Sequence, residues 1–125
     1  MKNTALAVEL KRFDAPDEIR EFDKGRFELL RLGGTTVGRA VYQPGWRWSV
    51  DVGAGTGQLS CQVEHVVVVI SGCLAAKMDD GNVIELREGD VLYIPPGHDS
   101  WVVGDEPFVS LHLLGADDYT TAVTQ

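Results

Sequence analysis

The chain has 125 residues, of which 44% are hydrophobic, and a formal net charge of -8 at pH 7. This length fits one domain with its own buried core, and the hydrophobic content excludes an intrinsically disordered chain. An acidic surface repels nucleic-acid phosphates and anionic lipid, so we predict neither nucleic acid nor membrane among the partners.

The first predicted element is a short N-terminal helix between Asp14 and Phe22. Asp14 can cap the first turn, Pro16 suits the first helical position, and acidic residues crowd the start. Gly25 ends the pattern. We therefore predict an N-terminal segment, residues 1–25, that carries one short helix.

Short apolar runs then alternate with turns rich in Gly, Pro and Asp over residues 26–115. Such a series predicts an all-β domain, a small antiparallel β-barrel whose closure hides the strand edges. The tail, residues 116–125, is polar and is expected to fray. The predicted strands cover residues 26–32, 35–42, 46–50, 58–70, 73–78, 83–86, 91–94, 101–103 and 107–114.

Two tryptophans stand out in the third predicted strand. Trp46 and Trp48 are two residues apart, so a strand places both on one face. Facing inward, they would wall a pocket for a ring or an acyl chain; facing outward, they would cover a dimer interface; plain core packing fits equally well. Tyr42, Tyr93 and Trp101 are further candidates for the pocket rim.

The cysteine count bears on the compartment. The N-terminus lacks the basic start and apolar run of a secretion signal, so we expect a cytoplasmic protein with reduced thiols. A disulfide between Cys61 and Cys73 is not favoured there. Cys73 follows a turn and fits a packing role.

The segment from Gly89 to Gly97 resembles the second signature motif of the cupin family: Gly, five residues, Pro, any residue, Gly. His65 lies seven residues before Gly72, where the first cupin motif places a metal-binding Glu or His. The resemblance implies a small single-domain cupin, with a double-stranded β-helix of the jelly-roll type over residues 26–115.

Three of the four ligand positions expected from that resemblance are changed. The two positions that hold paired histidines in cupins fall on Leu59 and Cys61, and the last histidine position falls on Ser100. His98 stands directly after Gly97 instead.

Cys61, His65 and His98 are the candidate metal ligands, offering one sulfur and two nitrogen donors. A divalent transition metal (zinc, iron, copper, nickel or manganese) needs three or more such donors at one point. An unbroken strand separates residues four apart by about 13 Å, so Cys61 and His65 can share an ion only if the chain bends between them.

Each donor also has a structural explanation. Cys61 fits a small buried hydrophobe, His65 a backbone hydrogen bond, and His98 an exposed loop position. Ser100 and His112 are further polar candidates for the interior, and the role of His112 is left open.

The predicted function is a small-molecule-binding cupin with its site inside the barrel. The resemblance implies a metal-dependent enzyme such as a dioxygenase, isomerase, epimerase or decarboxylase. The alternatives are a ligand-sensing or binding module without metal and a structural dimerisation unit. Trp46, Trp48 and Ser100 are the predicted ligand contacts, and a homodimer through the N-terminal strands is expected; substrate, reaction and metal identity stay open.

Overall fold

A computed structural model describes residues 7–120, and within this range the chain forms nine strands and one short helix. A single 3-10 turn, Gly53–Gly55, follows the helix. No helix in that range is long and apolar enough to cross a bilayer. The elements are β1 Glu18–Phe22, β2 Gly25–Leu32, β3 Thr35–Tyr42, α1 Trp48–Asp51, β4 His65–Ser71, β5 Cys73–Met78, β6 Val83–Arg87, β7 Val91–Ile94, β8 His98–Val102 and β9 Phe108–Leu114.

The strands form two facing sheets. The larger has the order β1-β2-β3-β9-β4-β7 and the smaller the order β6-β5-β8, with antiparallel pairing throughout. The last strand, β9, lies between β3 and β4, so the chain closes on itself through long-range pairs. This confirms the all-β, jelly-roll architecture predicted from the turn pattern.

Period-two alternation decides what faces the interior. In β4 every second residue is buried, beginning with His65. The burial of β8 and β9 alternates in the same way, and their inward residues include His98 and His112. The inner wall therefore carries imidazole side chains among aliphatic and aromatic ones.

The predicted helix between Asp14 and Phe22 is wrong: residues 14–17 form a turn and bends, and Glu18–Phe22 is strand β1. The strand pairs with β2 from Glu18 opposite Leu29 to Phe22 opposite Gly25. The acidic and proline signal is local and yields only a turn before the strand. Pairing with β2 outweighs the helical preference of this segment.

The predicted strand at residues 46–50 is also wrong. Trp48 begins helix α1, and two carboxylates favour that turn over a strand: Asp51 accepts from the Arg47 backbone N–H at 2.8 Å, and Asp99 accepts from the Ser49 N–H at 2.9 Å. Both tryptophans nevertheless face inward, since Trp46 is 0% and Trp48 4% exposed.

Two further expectations change at the ends of strands. The strand predicted over residues 58–70 begins only at His65, and the preceding stretch is irregular apart from a bridge between Cys61 and His98. Fraying of the tail is wrong for residues 116–120, where Ala116 and Tyr119 are buried. Residues 121–125 of that tail lie outside the described part of the chain.

Candidate metal centre and interior cavity

Cys61, His65 and His98 converge inside the barrel. Their donor atoms all lie within 4.8 Å of one another, and all three residues are buried. The Cys61 Sγ atom lies 3.6 Å from His65 Nε2. The chain therefore makes the bend between positions 61 and 65 on which a shared ion depends.

Backbone hydrogen bonds hold that bend. The Cys61 N–H donates to the His98 carbonyl at 2.6 Å, and the Gly97 N–H donates to the Cys61 carbonyl at 2.7 Å. Gly97 has a φ of 95°, and a Cβ there would lie 2.7 Å from the Asp79 carboxylate. Glycine is thus needed where the Pro-Pro-Gly loop turns His98 toward Cys61.

The His98 ring has a defined tautomer. Its Nδ1 lies 2.8 Å from the Pro95 carbonyl oxygen, which can only accept, so Nδ1 carries the proton. Nε2 then keeps a free lone pair. A backbone carbonyl behind the ring is the usual device that orients a metal-binding histidine.

The three groups are uncharged at neutral pH in the protein itself. Burial, reinforced by the charges of His112 and His98, lowers the pKa of His65 to about 2. Burial also lowers the pKa of His98 and raises that of the Cys61 thiol to about 11. Two neutral imidazoles and a neutral thiol therefore meet in the interior.

A cavity of about 40 Å³ adjoins His65 and His98. At about 10–15 Å³ per water this corresponds to roughly three waters. Its wall is mainly aliphatic and aromatic, and it contains no Asp or Glu from the described chain. The polar lining comes from Tyr42, His65, His98, Ser100, Ser110, His112 and Tyr119.

The predicted ligand contacts divide into two groups. Trp48 and Ser100 line the cavity. Trp46 does not; it stacks on Tyr42 at 3.7 Å between ring centroids and forms the layer behind the wall. Of the rim candidates, Tyr42 lines the cavity, whereas Tyr93 is 55% exposed and Trp101 packs under the Arg47 guanidinium.

Sequence reasoning missed Ser110 and Tyr119. Ser110 lies two residues before His112 on β9, so the alternation of that strand was the signal that places both side chains inward. Tyr119 had no signal, because it lies in a polar stretch after the last strand. Its hydroxyl is hydrogen-bonded to the Tyr42 hydroxyl at 2.5 Å.

An outer cleft of about 310 Å³ borders the site on its other side. Cys61 lines the cleft, and Trp48 and Tyr119 line both the cleft and the inner cavity. These two rings are therefore shared by the walls of the cavity and the cleft.

A closed antiparallel jelly roll with histidine donors converging on its interior defines the cupin class of protein. The EutQ-like cupin domain family matches residues 40–109, which is more than half of the chain, and the chain belongs to that family. The resemblance in the segments around His65 and Gly97 is thereby confirmed.

Solved structures with the same fold include three informative cases. A protein of unknown function from Rhizobium leguminosarum is 21% identical, with a TM-score of 0.54 over 73% of this chain and 80% of that chain. An oxalate decarboxylase from Lactobacillus farciminis is 19% identical, with a TM-score of 0.57 over 78% and 30%. A polyketide cyclase from Streptomyces resistomycificus is 13% identical, with a TM-score of 0.63 over 88% and 80%. Identities this low show the fold alone, and no curated protein matches the chain.

Proposed function

We propose that this chain is a metal-dependent, small-molecule cupin in which Cys61, His65 and His98 hold one divalent transition metal ion. The observation that carries the proposal is the 3.6 Å separation of Cys61 Sγ and His65 Nε2. An ion bound tetrahedrally at about 2.3 Å from sulfur and 2.1 Å from nitrogen sets these atoms about 3.6 Å apart. The Cys61–His65 pair is thus spaced as two zinc ligands would be, and all three donor atoms lie within 4.8 Å of one another.

The hydrogen bond behind the His98 ring supports the same assignment. His98 has its Nδ1–H fixed on the Pro95 carbonyl, so its Nε2 is available as a ligand. Three protein ligands would leave a coordination position for a small molecule, as in catalytic rather than structural metal sites. The adjoining cavity gives that position room for a small molecule.

The side chains that line the described cavity supply no acid at neutral pH, which favours a metal-dependent reaction. The described cavity lining has no carboxylate, and the pKa values of His65 and His112 lie far below neutrality, so neither is a proton donor at pH 7. When bound, the metal supplies Lewis-acid polarisation of a ligand oxygen. The barrel residues orient the small molecule and exclude bulk water. An oxalate decarboxylase and a polyketide cyclase on the same fold support enzymatic chemistry over a purely structural role.

The second candidate is a binding or sensing module without metal. It is favoured by the same uncharged lining: without an ion, the buried groups of the interior can bind a small molecule but have no strong acid or base at neutral pH.

Elemental analysis of untagged protein tests the proposal. We expect close to one equivalent of a transition metal per chain after loading with Zn²⁺ and desalting. The variants Cys61→Ala and His65→Ala should retain less than a tenth of it, whereas Cys73→Ala, which removes the other free cysteine, should retain all of it. Equal metal content in the three variants would reject the metal centre and leave the binding module.

A further inference from the structure

Four buried polar atoms around the cavity have no hydrogen-bond partner among the described residues. One is Nδ1 of the proposed metal ligand His65; the other three, Ser110 Oγ, His112 Nδ1 and Trp48 Nε1, belong to residues outside the proposed ligand set. Ser110 is 1% exposed, and His112 and Trp48 are each 4% exposed. Buried polar groups in native proteins are nearly always paired, so three orphans around one cavity indicate a partner that the protein chain does not supply.

The fold places two of these residues on the same face of one strand. Ser110 and His112 are alternate residues of β9, so both side chains stand on the inner face of the sheet. The backbone of β9 is paired with β3 on one side and β4 on the other. The His112 ring lies 4.8 Å from the His65 ring between centroids, so this face of β9 adjoins the proposed metal ligands.

Two of the unpaired atoms are donors that need a hydrogen-bond acceptor. An indole N–H can only donate, and a serine hydroxyl donates readily. The described lining offers no carboxylate that would accept from them. A ligand that satisfies Trp48 and Ser110 together must therefore bring lone pairs of its own.

The charge of the metal centre and the size of the cavity further limit which ligands can bind. This step rests on the metal centre proposed above. A divalent ion with one thiolate and two neutral imidazoles carries one net positive charge. Buried charge is costly unless it is paired, so a ligand with a single negative charge completes the site. The cavity of about 40 Å³ admits only a few heavy atoms.

We propose that the cavity binds a small monocarboxylate of about three to four heavy atoms, with the metal and the β9 pair sharing its carboxylate. Ser110 and Trp48 donate to the carboxylate oxygens, and His112 completes the hydrogen-bonding face. Larger acids exceed the volume of the cavity, whose aliphatic lining includes Leu74 and Leu92.

Isothermal titration calorimetry of Zn²⁺-loaded protein tests this with three probes. Acetate matches the proposed charge and size, acetamide has the same shape without the charge, and benzoate has the charge but exceeds the volume. We expect acetate to bind at least about tenfold more tightly than either control, because a hydrogen bond to a charged group exceeds one to a neutral group by about that factor. Comparable affinity for acetate and acetamide would overturn the proposal.

Ser110→Ala removes one donor and little volume. We expect it to weaken acetate binding about tenfold while zinc content stays at one equivalent, and Ser71→Ala, at the end of β4 and outside the cavity lining, to change neither. Unchanged acetate affinity in Ser110→Ala would also overturn the proposal.

The measured zinc content separates this inference from the metal centre. If the chain takes up no zinc, acetate is titrated into the metal-free protein. Absence of acetate binding there rejects the monocarboxylate site together with the metal, because the charge it was to neutralise is missing. Acetate binding that still depends on Ser110 would support the hydrogen-bonding site and reject only the metal.

Discussion

Arg20 Nη1 lies 2.6 Å from the carbonyl oxygen of Tyr119, which joins the edge strand β1 to the wall of the interior cavity. The same nitrogen donates to the Asp117 carbonyl at 2.9 Å, and Nε pairs with the Glu18 carboxylate at 2.7 Å. Arg20 is only 4% exposed, so these bonds are made in a largely desolvated setting. The stretch 116–120, here called the C-terminal segment, is therefore held in place by a residue almost 100 positions earlier.

The Arg20→Gln substitution should loosen the C-terminal segment. Removing the guanidinium leaves buried carbonyls without their donor, which costs about 1–3 kcal/mol in the free energy of unfolding. Hydrogen exchange at the amides of the C-terminal segment should accelerate more than exchange in β3 or β9. Arg87→Gln, which removes an exposed arginine paired with Glu85, is the control and should leave exchange unchanged. Equal exchange in both variants would contradict the role assigned to Arg20.

Gly38 is needed because a large ring occupies the space beside it. A Cβ at this position would lie 2.1 Å from Cζ of the fully buried Phe27, whose ring packs edge-on against His112 at 4.9 Å between centroids. We expect Gly38→Ala to lower the free energy of unfolding by about 1–3 kcal/mol through overpacking. Gly55→Ala, where no atom lies within 4 Å, should change it little. Urea denaturation of both variants measures the difference, and equal midpoints would refute the packing argument.

Acid should destabilise the metal-free protein through its buried histidines. Burial, with the charge of His98 as a smaller cause, lowers the pKa of His112 to about 3, against 6.5 for an ordinary histidine. Burial likewise lowers the pKa of His65 to about 2. Below pH 6.5 the unfolded chain binds protons that the folded chain does not, so stability is greatest above that pH and falls as the pH falls.

The slope should reach about 1.4 kcal/mol per pH unit for each such histidine. Urea titrations of chelator-treated protein between about pH 7.5 and 5 measure it, because Asp17, Glu18 and Asp117, whose pKa values are lowered by hydrogen bonds, contribute only at lower pH. His112→Gln should flatten the curve by one histidine's share, whatever its effect on stability at neutral pH. A curve that is level from pH 6.5 to 5 would show that the imidazoles are solvated.

The homodimer through the N-terminal strands stays a prediction. β1 lies at the edge of the larger sheet, and its Ile19 is 44% exposed. An unpaired edge is a ready surface for pairing with a second strand, and a lysine on it opposes such pairing. We expect light scattering to give twice the chain mass for the native protein and a shift toward the monomer for Ile19→Lys. A native monomer would refute the prediction.

Local sequence patterns determined the architecture. Within residues 26–115, short apolar runs indicate the strands, and the Gly, Pro and Asp turns between the runs indicate where each strand ends. These patterns involve residues close together in the sequence, so they can be interpreted without knowing which strands pair. The same local reasoning failed at Glu18–Phe22, which pairs with the next strand β2, and at Trp48–Asp51, where the Asp99 carboxylate accepts from a backbone N–H 50 positions earlier.

For the candidate site, local sequence patterns predicted which residues are donors but not that the donors meet. The sequence named Cys61, His65 and His98 as donors, but their spacing along the chain argued against a shared ion unless the chain bent. The bend at Cys61 is made by backbone hydrogen bonds to residues 97 and 98, more than thirty positions away. The alternation of β9 indicates that Ser110 faces inward. Which inward side chains meet, and that Tyr119 joins them, depends on contacts between elements far apart in the sequence, and the residues next to each of them do not reveal these contacts.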